Sequence, residues 1–163
     1  MLAVRNGDAD WTVEPLDADA STDTGQWASL TVTADGAVHV AYQDALGDRL
    51  LHVAWAAGTV SAVEVIDDGR RDPDRPHPVG ASAALVADAQ GALVVAYQDA
   101  ATADLLVARR QSSDWQVSDL LVGPVGAGFY TAAAVSNTDV WVSTFVYDRT
   151  KKPLGELRVM KAP

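Results

Sequence analysis

The chain has 163 residues, and its 12 basic residues against 22 acidic ones give a formal net charge of −10. This balance excludes a nucleic-acid partner, because phosphate backbones are bound by clustered Lys and Arg. The absence of cysteine excludes disulfides, thiolate nucleophiles and Cys-ligated metal centres. The apolar residues, 48% of the chain, suffice for a buried core, but no apolar run is long enough to span a membrane.

Residues 1–24 predict two strands that end a structural repeat. Residues 1–5 align without gaps to residues 105–109, and Asp10-Trp-Thr-Val to Asp114-Trp-Gln-Val. In the later repeat, residues 105–109 and 114–117 come after two other predicted strands and are its third and fourth strands. The chain is therefore expected to begin with the third and fourth strands of a repeat.

Residues 25–79 form the first complete repeat. Polar and apolar residues alternate over residues 38–43, which is the period of a β-strand with two different faces. Asp35-Gly36 is typical of a tight hairpin turn, where glycine accepts a positive φ. The pattern predicts four strands at about residues 27–33, 37–43, 49–55 and 60–66.

The same pattern returns in residues 80–127 and, more weakly, in residues 128–163. Ala-Tyr-Gln-Asp-Ala occurs at residues 41–45 and again at 96–100, an offset of 55 residues. The second repeat predicts strands at about residues 82–87, 92–98, 104–110 and 115–121, and the third predicts three strands. No segment has a convincing helical periodicity, so the fold class is all-β.

Four-stranded units that recur at this spacing are typical of β-propeller blades. The pattern Gly-x-Trp-x-Ser-Leu, an Asp-Gly turn and Val-His-Val-Ala-Tyr-Gln-Asp-Ala resembles the repeats of bacterial secreted and surface β-propellers, of the sialidase-like or BNR-like group. The resemblance implies an extracellular or periplasmic location. The Asp-box of sialidases is not present, which argues against sialidase activity.

About three blades are too few for a closed ring, because propellers have about 4–8 blades. We therefore expect a single, partial β-propeller with an incomplete ring. Its predicted parts are the end of a blade at 1–24, blades at 25–79 and 80–127, and an incomplete blade at 128–163. Open blades expose apolar faces and unpaired edges, so another chain or a second copy is expected to complete the propeller.

An aspartate ends the second strand of every repeat. Asp44, Asp99 and Asp148 are either ligands for calcium or sugar, or caps for backbone N–H groups of the following hairpin. Their presence in every repeat favours the capping role. The neighbouring Tyr42 and Tyr97 are expected to pack between blades with their hydroxyls hydrogen-bonded.

One equivalent position at the start of each innermost strand holds Trp27, Ser82 and Tyr130. In a propeller this position borders the mouth of the central channel, where ligands commonly bind. Trp27 and Tyr130 are therefore candidates for stacking on a sugar ring or an aromatic side chain. Packing between blades is the alternative for both residues.

Two loops carry the remaining candidate ligand contacts. The loop at residues 67–78 is charged and contains three prolines; its Arg70, Arg71, Arg75 and His77 are candidates to grip a carboxylate, or they neutralise nearby aspartates. The loop at residues 17–24 is acidic. Its carboxylates are candidate ligands for calcium, the one cofactor for which the sequence offers ligands. These calcium candidates are Asp17, Asp19 and Asp23.

No catalytic motif is present. His39 and His52 lie on adjacent predicted strands, but two imidazoles are an incomplete zinc site. We therefore predict a non-enzymatic binding or scaffold module whose loops and channel mouth hold a protein or a glycan. The alternative is part of a propeller glycoside hydrolase or lyase, with carboxylates converging at the channel mouth from several blades.

Overall fold

The computed structural model describes residues 1–5, 7, 10–19 and 21–163. These residues form antiparallel strands, turns and loops, and this described part contains no helix. No segment of the described chain is therefore a helix capable of crossing a bilayer. The predicted all-β fold class is confirmed.

The strands form four antiparallel sheets, numbered here in chain order. The first sheet is a hairpin of two strands, the second has five strands, the third has four and the fourth has three. Their bounds are β1 Leu2–Arg5 and β2 Trp11–Glu14; β3 Thr24–Val32, β4 Val38–Asp44, β5 Arg49–Ala56, β6 Thr59–Val60 and β7 Glu64–Asp67; β8 Val79–Ala87, β9 Leu93–Asp99, β10 Asp104–Gln111 and β11 Asp114–Leu121; β12 Gly126–Ser136, β13 Asp139–Tyr147 and β14 Gly155–Lys161.

Two features differ from the predicted strands. The strand predicted at residues 60–66 is divided into β6 and β7. Ser61 still donates its backbone N–H to the Ala54 carbonyl at 2.8 Å, but the pairing with β5 resumes one residue out of register, at Glu64 opposite His52. The first strands of the second and third sheets, β3 and β8, begin three residues earlier than predicted, at Thr24 and Val79. Both strands continue through bulges after these residues.

The second, third and fourth sheets lie face to face in chain order, with apolar clusters between them. Leu50 and Val79 belong to a cluster shared by the second and third sheets, and Val107 and Val142 to one shared by the third and fourth. Leu16, which follows the first sheet, packs against the cluster around Tyr42 in the second. The division into propeller blades stays a prediction.

The Tyr-Gln-Asp motif of the second and third sheets makes hydrogen bonds to the chain segments on both sides of each sheet. Tyr97 donates to Asp67 Oδ2 in the preceding sheet at 2.7 Å, and Tyr42 donates to Asp17 Oδ2 at 2.9 Å. Gln43 donates to the Val79 carbonyl in the following sheet at 2.9 Å. The corresponding bond in the next repeat runs from Gln98 Nε2 to the Ala127 carbonyl. The repeated motif therefore specifies the junctions between sheets.

The aspartates of this motif cap their own hairpins, as predicted. Asp44 Oδ1 accepts from the backbone N–H groups of Leu46 and Gly47, and Asp148 Oδ1 from that of Thr150 at 2.9 Å. Burial raises the pKa of Asp44, but the hydrogen bonds from Arg49 and the backbone outweigh it and the net pKa is lowered. These carboxylates hold the turns that connect the second and third strands of each sheet.

Candidate functional site

The first strand of each large sheet, β3, β8 or β12, is bulged at the same place. Trp27 and Ala28 together lie opposite one residue of β4, since Gln26 pairs with Gln43 and Ser29 with Ala41. The same two-against-one arrangement occurs in β8 and in β12. Its members there are Ser82 and Ala83, then Tyr130 and Thr131.

The first residue of each bulge has a left-handed backbone. The φ angles are 52° for Trp27, 53° for Ser82 and 50° for Tyr130. A bulky residue in this region is uncommon and carries a conformational cost. A glycine with positive φ precedes each of them by two residues: Gly25, Gly80 and Gly128. The bulge therefore turns one side chain per sheet out of the regular strand alternation.

The three bulges line one open cleft of about 170 Å³ where β3, β8 and β12 lie side by side. Trp27 is 53% exposed and Tyr130 is 82% exposed. The edge of the Phe145 ring supports Tyr130 at a centroid distance of 6.5 Å. The structure thus brings together the three equivalent positions singled out in the sequence, with two accessible aromatic rings beside Ser82.

The charged loop at residues 67–78 is tied to the third sheet through Asp99, the last residue of β9. Arg71 bridges Asp67 Oδ2 at 3.0 Å and Asp99 Oδ2 at 2.7 Å. His77 Nδ1 lies 2.6 Å from the same Asp99 oxygen. Arg71 and His77, two of the candidate ligand contacts, therefore bind acids of this chain and hold the loop in position.

The other predicted contacts are dispersed over the surface. Arg70 and Arg75 are exposed. Asp17 accepts from Tyr42, and Asp19 accepts from the hydroxyl of Ser21 at 2.6 Å. Within residues 1–5, 7, 10–19 and 21–163, no three His, Cys, Asp or Glu side chains form a group suited to a metal ion. Asp23 binds Gln26 at 3.3 Å, so the three calcium candidates have separate local partners.

A second polar cluster, between the second and third sheets, was only partly foreseen. His39 Nδ1 lies 3.0 Å from His52 Nε2, and His52 Nδ1 lies 3.0 Å from Glu64 Oε2. Arg110 of the third sheet donates to Glu64 Oε1 at 2.6 Å, and the Trp115 indole lies 3.4 Å from Glu64 Oε2. The adjacent strands suggested the histidine pair. No spacing in the sequence connects it to Arg110, which belongs to another sheet.

Burial controls the protonation of this cluster. His52 is 1% exposed, and burial lowers its pKa to about 4 against the opposing effect of Glu64. Burial and then the charge of Arg110 lower the pKa of His39, while Asp35 and Glu64 act in the other direction. Both imidazoles are therefore neutral at pH 7.

Solved structures that resemble this chain include a lectin. A fucose lectin from Kordia zhangzhouensis, solved in complex with methyl-fucoside, superposes with a TM-score of 0.49 and 12% sequence identity, over 83% of this chain and 93% of that chain. No protein-family model matches the chain, so the resemblance to sialidase-like repeats stays a prediction. No curated protein matches its sequence.

Proposed function

We propose that this protein is a non-enzymatic binding module that holds a glycan in the cleft between Trp27 and Tyr130. The supporting observation is the presence of these two exposed rings in one cleft, each set on a left-handed bulge. Three neighbouring strands of separate sheets supply the cleft, so its geometry depends on the sheet stacking. A rigid support of this kind lowers the ordering cost of binding.

The composition of the cleft indicates a neutral sugar. Aromatic rings provide flat apolar surfaces for the C–H face of a pyranose, and the hydroxyls of Ser82 and Thr131 can exchange hydrogen bonds with sugar hydroxyls. None of the side chains that line the cleft is charged; they are Trp27, Ala28, Ser82, Ala83, Tyr130 and Thr131. A charged ligand would find no ion-pair partner there.

The experiment is a screen of neutral and acidic glycans, followed by calorimetric titration of the best neutral binder. We expect Trp27→Ala and Tyr130→Ala each to weaken binding by about tenfold or more, because each removes one stacking surface. Leu46→Ala is the control, since Leu46 is 70% exposed and lies in the turn after β4, outside the cleft. Binding that survives both cleft substitutions, or no glycan binding at all, contradicts the proposal.

The enzymatic alternative has no comparable support. The buried acids Asp67 and Asp99 are each only 4% exposed in their side chains and are bridged by Arg71. Two carboxylates held in this way are not free to protonate and attack a glycosidic bond. Release of new reducing ends from the bound glycan would nevertheless favour the hydrolase.

The partner that completes the fold is proposed to be a second copy of this chain. The outer face of the first sheet exposes Trp11 and Val13, and that of the fourth sheet exposes Leu157 and Val159, at 56–71% of their surface. Residues 1–24 hold one basic and six acidic residues, whereas residues 128–163 hold five basic and three acidic ones. The two faces are both apolar, and the two segments that carry them have opposite net charge, which favours their association. An extracellular or periplasmic setting belongs to the same proposal.

Analytical ultracentrifugation tests this assembly. We expect a concentration-dependent dimer that Leu157→Asp disrupts by placing a carboxylate in the apolar face. Leu46→Asp is the matched control, because Leu46 is 70% exposed in the turn after β4, away from both faces. A native chain that stays monomeric over the accessible concentrations, or equal effects of the two variants, rules out the second copy.

A further inference from the structure

We propose that the cleft between His39 and Arg110 is a second ligand site, which takes a small carboxylate together with one proton on His39. The cleft measures about 310 Å³ and opens between the second and third sheets. Its lining also includes Ser112 and the Gly91 turn. It shares no residue with the Trp27–Tyr130 cleft, so it does not depend on the glycan proposal.

The hydrogen-bond chain fixes which nitrogen of His39 is available. The Glu64 carboxylate only accepts, so His52 Nδ1 carries the hydrogen directed at it. The neutral His52 ring then accepts at Nε2, and His39 Nδ1 is the donor to it. His39 Nε2 consequently holds the free lone pair. It has no hydrogen-bond partner in residues 1–5, 7, 10–19 and 21–163.

Arg110 supplies a permanent cation at the same cleft. Its Nη2 is occupied by Glu64, and its side chain is 26% exposed. Its Nε atom is buried without a partner among the described residues. Arg110 lines the cleft, and its Nη1 also has no partner among the described residues, so this nitrogen remains as a donor for a ligand. Arg110 and Glu64 cancel in charge, so a bound anion needs one further positive group.

A proton on His39 provides that charge. Once protonated, Nε2 becomes a donor, and a carboxylate can accept from it while its second oxygen faces Arg110. The charged groups around His39 are Arg110, Glu64 and Asp35, with the neutral His52 on its other nitrogen. Arg110 and burial oppose the protonation of His39 in the free protein, and a bound carboxylate removes part of that cost. Binding and proton uptake are therefore linked.

The test is an NMR titration of the folded chain with acetate, and with acetamide as the uncharged isostere, from pH 8 to pH 6. We expect acetate to bind more tightly as the pH falls, by up to tenfold per pH unit, and to shift the His39 ring signals. Acetamide is expected to bind at least tenfold more weakly at pH 6. His39→Gln keeps a donor to His52 and is expected to reduce the pH effect to less than twofold.

The control variants distinguish local contact from overall charge. Arg110→Met is expected to abolish acetate binding, while Arg75→Gln, which removes an exposed arginine of the 67–78 loop, leaves it unchanged. A native-like spectrum of each variant establishes that it is folded. Equal binding of acetate and acetamide, a pH-independent affinity, tighter binding of inorganic sulfate than of acetate, or equal losses in the two arginine variants would overturn the assignment.

Discussion

The junction between the second and third sheets differs in chemistry from the junction between the third and fourth. At the first, Tyr97 donates to the buried carboxylate of Asp67, and Arg110 pairs with Glu64 across the sheets. At the second, the buried side chains form one apolar cluster that includes Val107 and Val142. The same stacking is thus achieved once with a polar network at its edges and once mainly by apolar packing.

The difference follows from a paired change in the repeat. Val146 takes the place of Tyr97 two residues before the capping aspartate, and is fully buried. Leu121 takes the place of Asp67, because it pairs with Leu105 as Asp67 pairs with Leu50. When the donor is lost, its acceptor is replaced as well, which avoids a buried carboxylate without a partner. We therefore expect mutation and pH to change the free energy of unfolding differently at the two junctions.

The largest effect is expected from truncation in the apolar junction. Leu105 is fully buried in the cluster between the third and fourth sheets. Leu105→Ala is expected to lower the free energy of unfolding by about 3–4 kcal/mol, through lost burial and the cavity left behind. Chemical denaturation at pH 5 and pH 7 measures it, and the loss should be equal at both pH values. A loss that depends on pH would show that the junction is not governed by apolar packing.

The polar junction is expected to respond to acid. The pKa of His52 falls from 6.5 to about 4 on folding, chiefly through burial. Above pH 6.5 the His52 imidazole is neutral in both the folded and the unfolded state, so it does not reduce the stability of the fold. Between pH 6.5 and pH 4 only the unfolded chain binds the proton, which favours unfolding. Stability is thus expected to fall by about 2–3 kcal/mol as pH decreases through that window.

Denaturation curves of native protein and His52→Gln across this range measure the contribution of His52. The variant loses stability at pH 7, but its curve should be flatter between pH 6.5 and pH 4. Parallel pH profiles for the two proteins would assign the acid response to other groups.

A smaller effect is expected from removing one hydroxyl at each of two junctions. Tyr97→Phe deletes a buried hydrogen bond to Asp67 and is expected to cost about 1–2 kcal/mol. Tyr42→Phe deletes the equivalent bond to Asp17, which is only half-buried, and should cost less. Burial and the adjacent carboxylate raise the pKa of the Tyr97 hydroxyl, so the protonated donor persists over the working pH range. Thermal unfolding of the two variants side by side measures the difference, and equal losses would contradict it.

Much of the strand order could be predicted because the signals for strands and turns lie within a few neighbouring residues and recur in each repeat. Alternation over residues 38–43 and the Asp35-Gly36 turn specify β4 and its hairpin, and Gly36 has the expected positive φ of 83°. The bulge at Trp27 could not be predicted, since two residues that share one partner have no distinct sequence pattern. The division of one strand into β6 and β7 is likewise a change of register against β5, which the sequence pattern does not mark.

The sequence by itself determined the repeated sheets, their capping aspartates and the equivalence of Trp27, Ser82 and Tyr130. These features arise from side-chain alternation and turn chemistry within a few neighbouring residues, and they recur at a fixed offset. Only the tertiary structure decided that Arg71 binds acids of its own chain and that Arg110 reaches Glu64 and lines a cleft with His39. Such contacts join residues far apart in the chain, and stacking the sheets is what brings their charges within hydrogen-bond distance.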